Sequence, residues 1–357
     1  MTKSIAAGRT RAWVEVDLDA LVRNARRFVE FMGRPLLPMV KANAYGLGAE
    51  AVAGALEAVA PWGYGVATVE EGAVLRRAGI TRPIAMLTPL YPQVLLGCIT
   101  WGLRPSIGDP AMLEAWVEAG GGPFHLEVDT GLSRGGVPWH DTAAWESLRP
   151  RLNGLATFEG MYTHFQSAGV DPAACRIQGD RFQAIVASLP QRPPLLHAAC
   201  SDAEPAYALD LARPGIHLYG GDVDGLAAEP VVRLEARVVA VRRVRPGDTV
   251  SYGATWRAER ETTIATLAIG YADGLHRALS NRGRIELGGV VMPIAGIVAM
   301  DLTMVAAGDL PVRVGDVATI FGGQVSLEEQ AGLAGTISYE LLTALGPRLP
   351  RHYRRTG

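Results

Sequence analysis

The amino-acid sequence predicts an α/β protein, with an N-terminal (β/α)8 TIM-like barrel followed by a C-terminal antiparallel all-β domain. The main observation is a change of pattern near residue 225 of the 357-residue chain. Before it, short apolar runs alternate with helix-like stretches, which is typical of a parallel sheet built from βαβ units. After it, turns separate strand-like runs and helical periodicity nearly vanishes. Apolar residues make up 48% of the chain, which supplies two cores and excludes general disorder.

Eight β-rich apolar runs in the first part match the strand number of a (β/α)8 barrel. They cover residues 36–40, 64–68, 83–87, 103–107, 124–129, 156–165, 195–199 and 211–219. A doubly wound open sheet is the alternative, although no Gly-x-Gly-x-x-Gly follows an early strand. We therefore expect a barrel domain over 1–225 and a β-domain over 226–357 with a late helix over 337–345. A strand over 13–18, ahead of a helix over 19–31, can belong to either domain.

Charge and cysteine content narrow the class of protein. Lys and Arg number 34 against 36 Asp and Glu, so no basic excess is present to bind a nucleic acid backbone. The three cysteines show neither disulfide nor zinc-finger spacing, which favours a reducing compartment and predicts no metal site. With no signal peptide or membrane span predicted, we expect a cytoplasmic protein. The basic C-terminus, with arginines at 348, 351, 354 and 355, predicts a solvated tail.

The reactive residues of such a barrel lie where its strands end, and the last two strands commonly hold a phosphate. This rule places one lysine, two arginines, two histidines and a Ser/Gly phosphate cradle at one mouth of the barrel. The residues are Lys41, Glu127, Arg134, His164, His197, Ser201, Arg213, Gly215 and Ile216.

Lys41 directly follows an apolar strand, where lysine is rarely found. Burial and cationic neighbours lower the pKa of a lysine and make its amine nucleophilic, which suits a Schiff base. Taken alone, Lys41 is better explained as a strand-end lysine whose ammonium reaches solvent. Together with the phosphate signals, it indicates a site for pyridoxal 5′-phosphate (PLP).

A set of motifs then identifies a known family. The motifs, in chain order and over nearly the whole chain, are WVEVDLDALVRN, VKANAYGLG, VDTGLSRGG, THF, RPGIHLYG, SYGATW, IGYADG, AMDLTMV and SYELL. With these motifs in this order, the sequence resembles the alanine racemases, which are fold-type III PLP enzymes with a barrel and a C-terminal β-domain.

The resemblance implies a role for each residue of the site. Lys41 carries PLP and acts as the base on one face of the substrate Cα, and Tyr252 of the other subunit of a homodimer is the base on the opposite face. Arg213 faces the pyridine nitrogen within a network that includes His164 and His197. The phosphate is held by Tyr45, Ser201, Gly215, Ile216 and Tyr339. The small amino-acid substrate is bound by Arg134, with Tyr271, Met300 and Asp301 of the second subunit nearby.

The chemistry of racemisation agrees with these roles, because a proton must leave one face of a carbon and return on the other. A tyrosine has a pKa of about 10, so it needs nearby cations to act as a base near neutral pH. We expect His164 and Arg213 to be those cations. An arginine, with a pKa above ~12, leaves the ring nitrogen unprotonated, which limits side reactions such as transamination.

Two departures from the family pattern affect the site. Many members carry, at position 127, a lysine that is carbamylated and orients the arginine here numbered Arg134. Glu127 supplies a negative charge directly and is interpreted as its replacement, the alternative being an outward-facing strand residue. Cys200 replaces the usual asparagine before the phosphate-binding serine, which leaves fine specificity open.

The function implied is interconversion of L- and D-alanine, which provides D-alanine as a peptidoglycan precursor. A racemase for serine or a broader set of small amino acids is the first alternative. A PLP-dependent decarboxylase on the same architecture is the second, but it would need a cysteine in the C-terminal domain, and none follows Cys200. A PLP-binding protein without enzymatic activity is the third, and the long β-domain and Tyr252 argue against it.

Overall fold

The structure is a computed structural model that describes residues 9–202, 205–223 and 225–355. Numbered along the chain, the helices are α1 Leu18–Met32, α2 Lys41–Tyr45, α3 Ala49–Leu56, α4 Val69–Arg77, α5 Pro92–Thr100, α6 Pro110–Glu118, α7 Thr142–Leu152, α8 Pro172–Ala187, α9 Leu327–Ala334 and α10 Ser338–Thr343. The strands are β1 Ala12–Asp17, β2 Tyr64–Val66, β3 Ile84–Pro89, β4 Arg104–Ile107, β5 Phe124–Asp129, β6 Val137–Pro138, β7 Phe158–Tyr162, β8 Leu195–His197, β9 Val232–Val244, β10 Thr249–Val250, β11 Trp256–Arg257, β12 Thr262–Leu267, β13 Arg284–Leu287, β14 Val290–Pro293, β15 Thr303–Gly308, β16 Val317–Phe321 and β17 Arg351–Arg354.

The N-terminal part contains the parallel sheet that the alternating pattern predicts. Its strands follow the order β2-β3-β4-β5-β7-β8, with β6 added beside β5, and helices connect most neighbours. Side chains on both faces of these short strands are buried, as expected for a sheet covered by helices. The carboxyl ends of the strands therefore meet at one end of the barrel, where the predicted site residues were placed.

The first and last predicted barrel strands are not regular strands, although they close the barrel. Single parallel bridges join Leu36 with Ala212 and Met39 with Gly65. Each segment contains a proline, Pro38 or Pro214, which cannot donate a hydrogen bond to a sheet. The end of the last segment, Ile216–Tyr219, is a 3-10 helix rather than a strand.

The C-terminal sheet has the order β14-β13-β16-β9-β1-β17, and β12 joins β9 to β15. The long central strand β9 alternates buried and partly exposed residues at its start, which is the pattern of a sheet with one covered face. The N-terminal strand β1 pairs with β9 and β17 in this sheet, so its place is now defined. The sheet is antiparallel except for the pair β1–β17, which is parallel.

Two predictions for the C-terminal part need correction or refinement. The late helix is shorter than predicted, and helix α9 precedes it with Ser326 as its N-cap. The basic C-terminus is not a solvated tail, because Arg348 donates to Asp301 at 2.7 Å and Arg351 donates to four backbone carbonyls. In the described residues, no helix combines the length and the apolar character needed to cross a membrane.

His217 is a buried histidine whose ring makes no hydrogen bond in the described part of the chain. The ring packs against Phe28 of helix α1, with a distance of 5.3 Å between ring centroids. Burial lowers the pKa of His217 from 6.5 to about 4. The folded protein therefore holds this ring neutral, whereas the unfolded chain protonates it below about pH 6.5.

We predict that His217 makes the fold sensitive to acid. Its contribution to stability is complete above pH 6.5 and is lost as the pH falls towards 4, by roughly 3 kcal/mol at most. The substitution His217→Leu has a similar volume, so it should leave stability at pH 7.5 unchanged or higher and reduce the loss between pH 7.5 and 5. Urea unfolding at both pH values measures this.

The exposed His140 offers the matched control, because His140→Leu removes a histidine without changing the core. An equal pH dependence in the wild type and His217→Leu would contradict the prediction.

Candidate active site

A cavity of about 580 Å³ opens at the carboxyl ends of the barrel strands. Most of the residues predicted to bind the cofactor lie around this cavity. Those that line it are Lys41, Tyr45, Glu127, Arg134, His164, Ser201, Arg213, Gly215 and Tyr339. His197 and Ile216 are buried in the surrounding protein.

Lys41 begins an unusual turn, here called the lysine turn, which comprises residues 41–48. Four consecutive residues without glycine, Ala42 to Tyr45, have φ between 52 and 55° and so form a left-handed turn. Such a conformation costs roughly 1–2 kcal/mol per residue and persists only where its surroundings hold it. Within the barrel, Glu71 accepts from the Ala42 amide at 2.6 Å, and Asn43 accepts from the Ala49 amide at 2.9 Å.

The amine of Lys41 is exposed to the cavity, yet the protein around it reduces its contact with solvent. This burial lowers its pKa, and the positive charges of Arg134 and Arg213 lower it further, against the opposing effect of Glu71. The deprotonated amine is thereby favoured, as a nucleophile or a base requires. The chain contains only two lysines, Lys3 and Lys41, whereas arginine supplies nearly all other positive charge. This scarcity is a sequence signal that the analysis of motifs missed.

A cup of hydroxyl groups and backbone lies across the cavity from Lys41. The hydroxyl of Ser201 accepts from the Gly215 amide at 2.7 Å. A Cβ atom at Gly215 would lie 2.4 Å from the Tyr45 hydroxyl, so only glycine lets the backbone approach this closely. The ring of Tyr45 stacks on Tyr219 at 4.6 Å and lies 5.8 Å from the ring of Tyr339. Hydroxyl and amide donors around such a space suit a phosphate group.

Arg213 is the buried cation of the site. Its terminal nitrogens donate to the backbone carbonyls of Thr163, His197 and Ala198 at 2.8–3.0 Å and to the His197 ring at 2.6 Å. Its Nε makes no hydrogen bond within the described part of the chain, which leaves one donor for an acceptor in the cavity. Burial lowers its pKa, but an arginine remains protonated at neutral pH.

A chain of hydrogen bonds extends from Arg213 away from the cavity. Nε2 of His197 lies 2.7 Å from Nδ1 of His125, and Nε2 of His125 lies 3.3 Å from the Glu159 carboxylate. Because burial lowers the pKa of both histidines, each ring is neutral, and donation by Arg213 fixes which nitrogen carries the proton. Gly160 makes room for this chain, since a Cβ there would lie 2.9 Å from the His125 ring.

The sequence analysis named His197 but missed His125, Glu159 and the neighbouring Tyr162. Tyr162 stacks on His197 at 4.9 Å and lies under the guanidinium of Arg213. The available signal was the alternation of apolar and polar residues along β5, which turns His125 and Glu127 to the same side of the sheet.

One electrostatic expectation for the site is wrong. Burial, with the charges of Arg213, Arg134 and Lys41, lowers the pKa of His164 to about 3. His164 is therefore neutral near pH 7 and is not a cation for a neighbouring tyrosine. Arg213 remains as the buried positive charge.

Glu127 lies inside the barrel, with only 4% of its surface exposed, and does not face outward. It accepts a hydrogen bond from Ser106 at 3.2 Å, and Ser106 lies 2.7 Å from the Tyr162 hydroxyl. The expected ion pair is not formed, because no contact within 4.0 Å joins Glu127 to Arg134. Burial raises the pKa of Glu127, while its hydrogen bonds and the charges of Arg134 and Arg213 oppose this rise.

The remaining predicted residues do not reach this cavity within one chain. Tyr252 is 72% exposed, Tyr271 42% and Met300 53%. Asp301 pairs with Arg348 at 2.7 Å. All four belong to the C-terminal domain and none lines the cavity that contains Lys41.

The residues present fit PLP. The space at Gly215, beside Ser201 and Tyr45, suits the phosphate of PLP. The amine of Lys41 suits its aldehyde, and the unused Nε–H of Arg213 suits its ring nitrogen. Fold and site together define a barrel enzyme of the PLP-dependent class.

Comparison with known proteins gives the particular family. The model of the alanine racemase N-terminal domain matches residues 16–223, and that of the alanine racemase C-terminal domain matches residues 231–353. The alanine racemase of Symbiobacterium thermophilum is 38% identical over 97% of this chain and 98% of its own. The alanine racemase of Deinococcus radiodurans is 38% identical over 96% of this chain and 98% of its own.

Solved structures agree in fold. The alanine racemase of the D-cycloserine producer Streptomyces lavendulae has a TM-score of 0.88 at 33% identity, covering 97% of both chains. That of Bartonella henselae, solved with covalently bound pyridoxal phosphate, has a TM-score of 0.89 at 30% identity, covering 97% of this chain and all of its own. The chain belongs to the alanine racemase family.

Proposed function

We propose that the protein is an isomerase that interconverts L- and D-alanine with PLP bound at Lys41. The observation that carries the proposal is the placement of one low-pKa amine, one phosphate cup and one buried arginine around a single cavity. Family membership gives the reaction, and the named alanine racemases above are the relatives from which it is inferred.

Bound PLP supplies an electron-withdrawing ring that stabilises negative charge at the substrate Cα. Tyr45, Ser201 and the backbone of Gly215 and Ile216 would hold its phosphate, with Tyr339 beside them. Arg213 would donate a hydrogen bond to the ring nitrogen and leave that nitrogen unprotonated, because the proton of an arginine is not transferable. Arg134 binds the carboxylate of the amino acid at the mouth of the cavity.

The Lys41 amine removes or returns a proton at one face of the Cα, and its lowered pKa suits this task near neutral pH. The opposite face needs a second base. We assign that role to Tyr252 of a second copy, with Tyr271, Met300 and Asp301 beside it. Their exposure on the C-terminal domain supports an active homodimer with shared sites.

The substrate is a small amino acid, with alanine favoured over serine by the family. Cys200 lines the cavity and, like Glu127, departs from the family pattern there. Incubation with a panel of L-amino acids, followed by chiral chromatography, ranks the substrates, and release of carbon dioxide would indicate the decarboxylase alternative.

We also infer two broader properties. A division near residue 225 is supported by the two family models, which end at 223 and begin at 231, although β1 joins the C-terminal sheet. A cytoplasmic location is supported by the three free cysteines.

The first prediction of this proposal is that borohydride reduction fixes PLP on Lys41. Peptide mapping after reduction should find the pyridoxyl group on the peptide with Lys41, and Lys41→Arg should abolish the label and the visible absorbance. Since the chain has only one other lysine, Lys3→Arg is a matched control that should keep both. A label on Lys3 or on the N-terminal amine would overturn the assignment.

The second prediction concerns the shared site. Lys41→Ala and Tyr252→Phe should each be nearly inactive alone, but a hybrid dimer contains one intact site. An equal mixture after subunit exchange should therefore recover about a quarter of the wild-type activity. Exchange is verified with two differently tagged chains, and no recovery in spite of exchange would mean that each site is built within one chain.

The third prediction is that Glu127 replaces a carbamate through its charge. Glu127→Gln should lower kcat/KM by about tenfold, because the Coulombic attraction between this carboxylate and Arg134, which acts without a direct contact, is lost. It should not lower the unfolding temperature, since burial raises the pKa of Glu127 and the ionised carboxylate destabilises the fold at neutral pH. Steady-state kinetics and thermal unfolding measure the two effects.

Glu127→Asp keeps the charge and is the matched control. Wild-type activity should be independent of bicarbonate, whereas Glu127→Lys should be activated by it. Unchanged kinetic constants in Glu127→Gln would show that the charge has no role in the reaction.

A further inference from the structure

Arg351, from the basic C-terminus, connects the C-terminal domain to the lysine turn. Its Nε donates to the carbonyl of Gly46 at 2.9 Å. Its terminal nitrogens donate to the carbonyls of Leu345, Gly346 and Leu349 at 2.6–2.7 Å. Within the described part of the chain, no carboxylate lies within ion-pair distance of this guanidinium. Its donors are directed to backbone carbonyls instead, so it serves as a connector between segments.

Tyr353, two residues further along the same strand, makes a second contact with the turn. Its hydroxyl donates to the carbonyl of Leu47 at 3.0 Å. Two glycines of the turn allow the approach. A Cβ at Gly48 would lie 2.0 Å from that hydroxyl, and one at Gly46 would lie 2.5 Å from the carbonyl oxygen of Leu342 in helix α10.

The segment held in this way is the strained part of the site. Residues 42–45 have a left-handed backbone conformation although none of them is a glycine. The segment directly follows Lys41 and ends with Tyr45. Contacts within the barrel hold the start of the turn, whereas Arg351 and Tyr353 hold its end at Gly46 and Leu47. The carbonyls of Leu345 and Gly346 closely follow helix α10, which carries Tyr339. Arg351 therefore ties the turn that carries Lys41 and Tyr45 to the segment that carries Tyr339.

We propose that Arg351 and Tyr353 are positioning residues that keep the lysine turn in its left-handed conformation, and thereby place Lys41 and Tyr45 for the cofactor. The inference rests on the proposed function, in which these two residues hold PLP. A turn that adopts its binding conformation only part of the time binds PLP more weakly by the same fraction. Loss of the Arg351 contacts should therefore loosen the turn and weaken PLP binding together.

Hydrogen exchange of the purified full-length protein tests the conformational part without cofactor or substrate. In Arg351→Gln, the amides of Ala44, Gly46 and Gly48 should exchange about tenfold faster, while the amides of β5 and β9 remain protected. Arg354→Gln is the matched control, because Arg354 lies on the same strand, is half-exposed and is directed to Glu15 at 3.7 Å.

PLP titration of the cofactor-free protein tests the functional part. Arg351→Gln should bind PLP about tenfold more weakly, and the circular dichroism of the visible band, per bound PLP, should decrease. At saturating PLP, kcat should fall while the KM for alanine changes less than about twofold, because the substrate contacts are intact. Arg351→Lys keeps the charge but not the fork of donors, so it should be intermediate.

Tyr353→Phe removes one hydrogen bond and keeps the ring, so this variant tests the proposal if Arg351→Gln does not fold. It should raise the exchange rate of Gly48 and the dissociation constant for PLP by about threefold. If the folded variants at 351 and 353 match Arg354→Gln in both measurements, the proposal is wrong. If the wild type itself binds no PLP, the proposed function fails, and the exchange data alone still show whether Arg351 holds the turn.

Discussion

The buried positive charge of Arg213 is the constraint around which the barrel end of this protein is organised. A buried guanidinium needs acceptors for its donors, and here carbonyls at the ends of the last strands and the His197 ring serve its terminal nitrogens, whereas Nε remains for a group in the cavity. Because Arg213 donates to the His197 ring, the other nitrogen of His197 carries the proton and donates to His125. His125 then donates from its other nitrogen, and Glu159 is the acceptor.

Burial and the charge of Arg213 act in the same direction on the bases of the site. Burial lowers the pKa of Lys41 and of His164, and the charges of Arg134 and Arg213 lower both further. The charge of Arg213 also opposes the effect of burial on Glu127, whose ionised form would be more costly without the two arginines nearby. The cavity thus combines an amine of lowered pKa, a neutral imidazole and fixed guanidinium charges, an arrangement suited to the anionic groups of a cofactor and a substrate.

The sequence predicted what depends on local pattern and missed what depends on distant contacts. The alternation of apolar runs and helices located the barrel, and the strand ends located Lys41, Ser201 and Arg213. His125 was missed because the polar residues of β5, which alternate with apolar ones, do not show by themselves what they contact, and only the neighbour across the sheet, Gly160, shows that a ring is accommodated there. Helix α9 was missed although Ser326 and Glu329 follow the N-capping pattern, because a helix of eight residues leaves little periodicity.

The C-terminal arginines show why charge alone is a poor guide to position. A run of arginines near a chain end is usually solvated, and nothing in the local sequence distinguishes Arg351 from Arg354 or Arg355. In the fold, β17 pairs in parallel with β1, and this pairing directs Arg351 and Tyr353 to the lysine turn more than 300 positions earlier in the chain. A left-handed turn without glycine cannot be stable by its own propensities, so its conformation at Lys41 depends on contacts that only the complete fold provides. The chemistry at the first strand of the barrel is therefore coupled to the last strand of the β-domain.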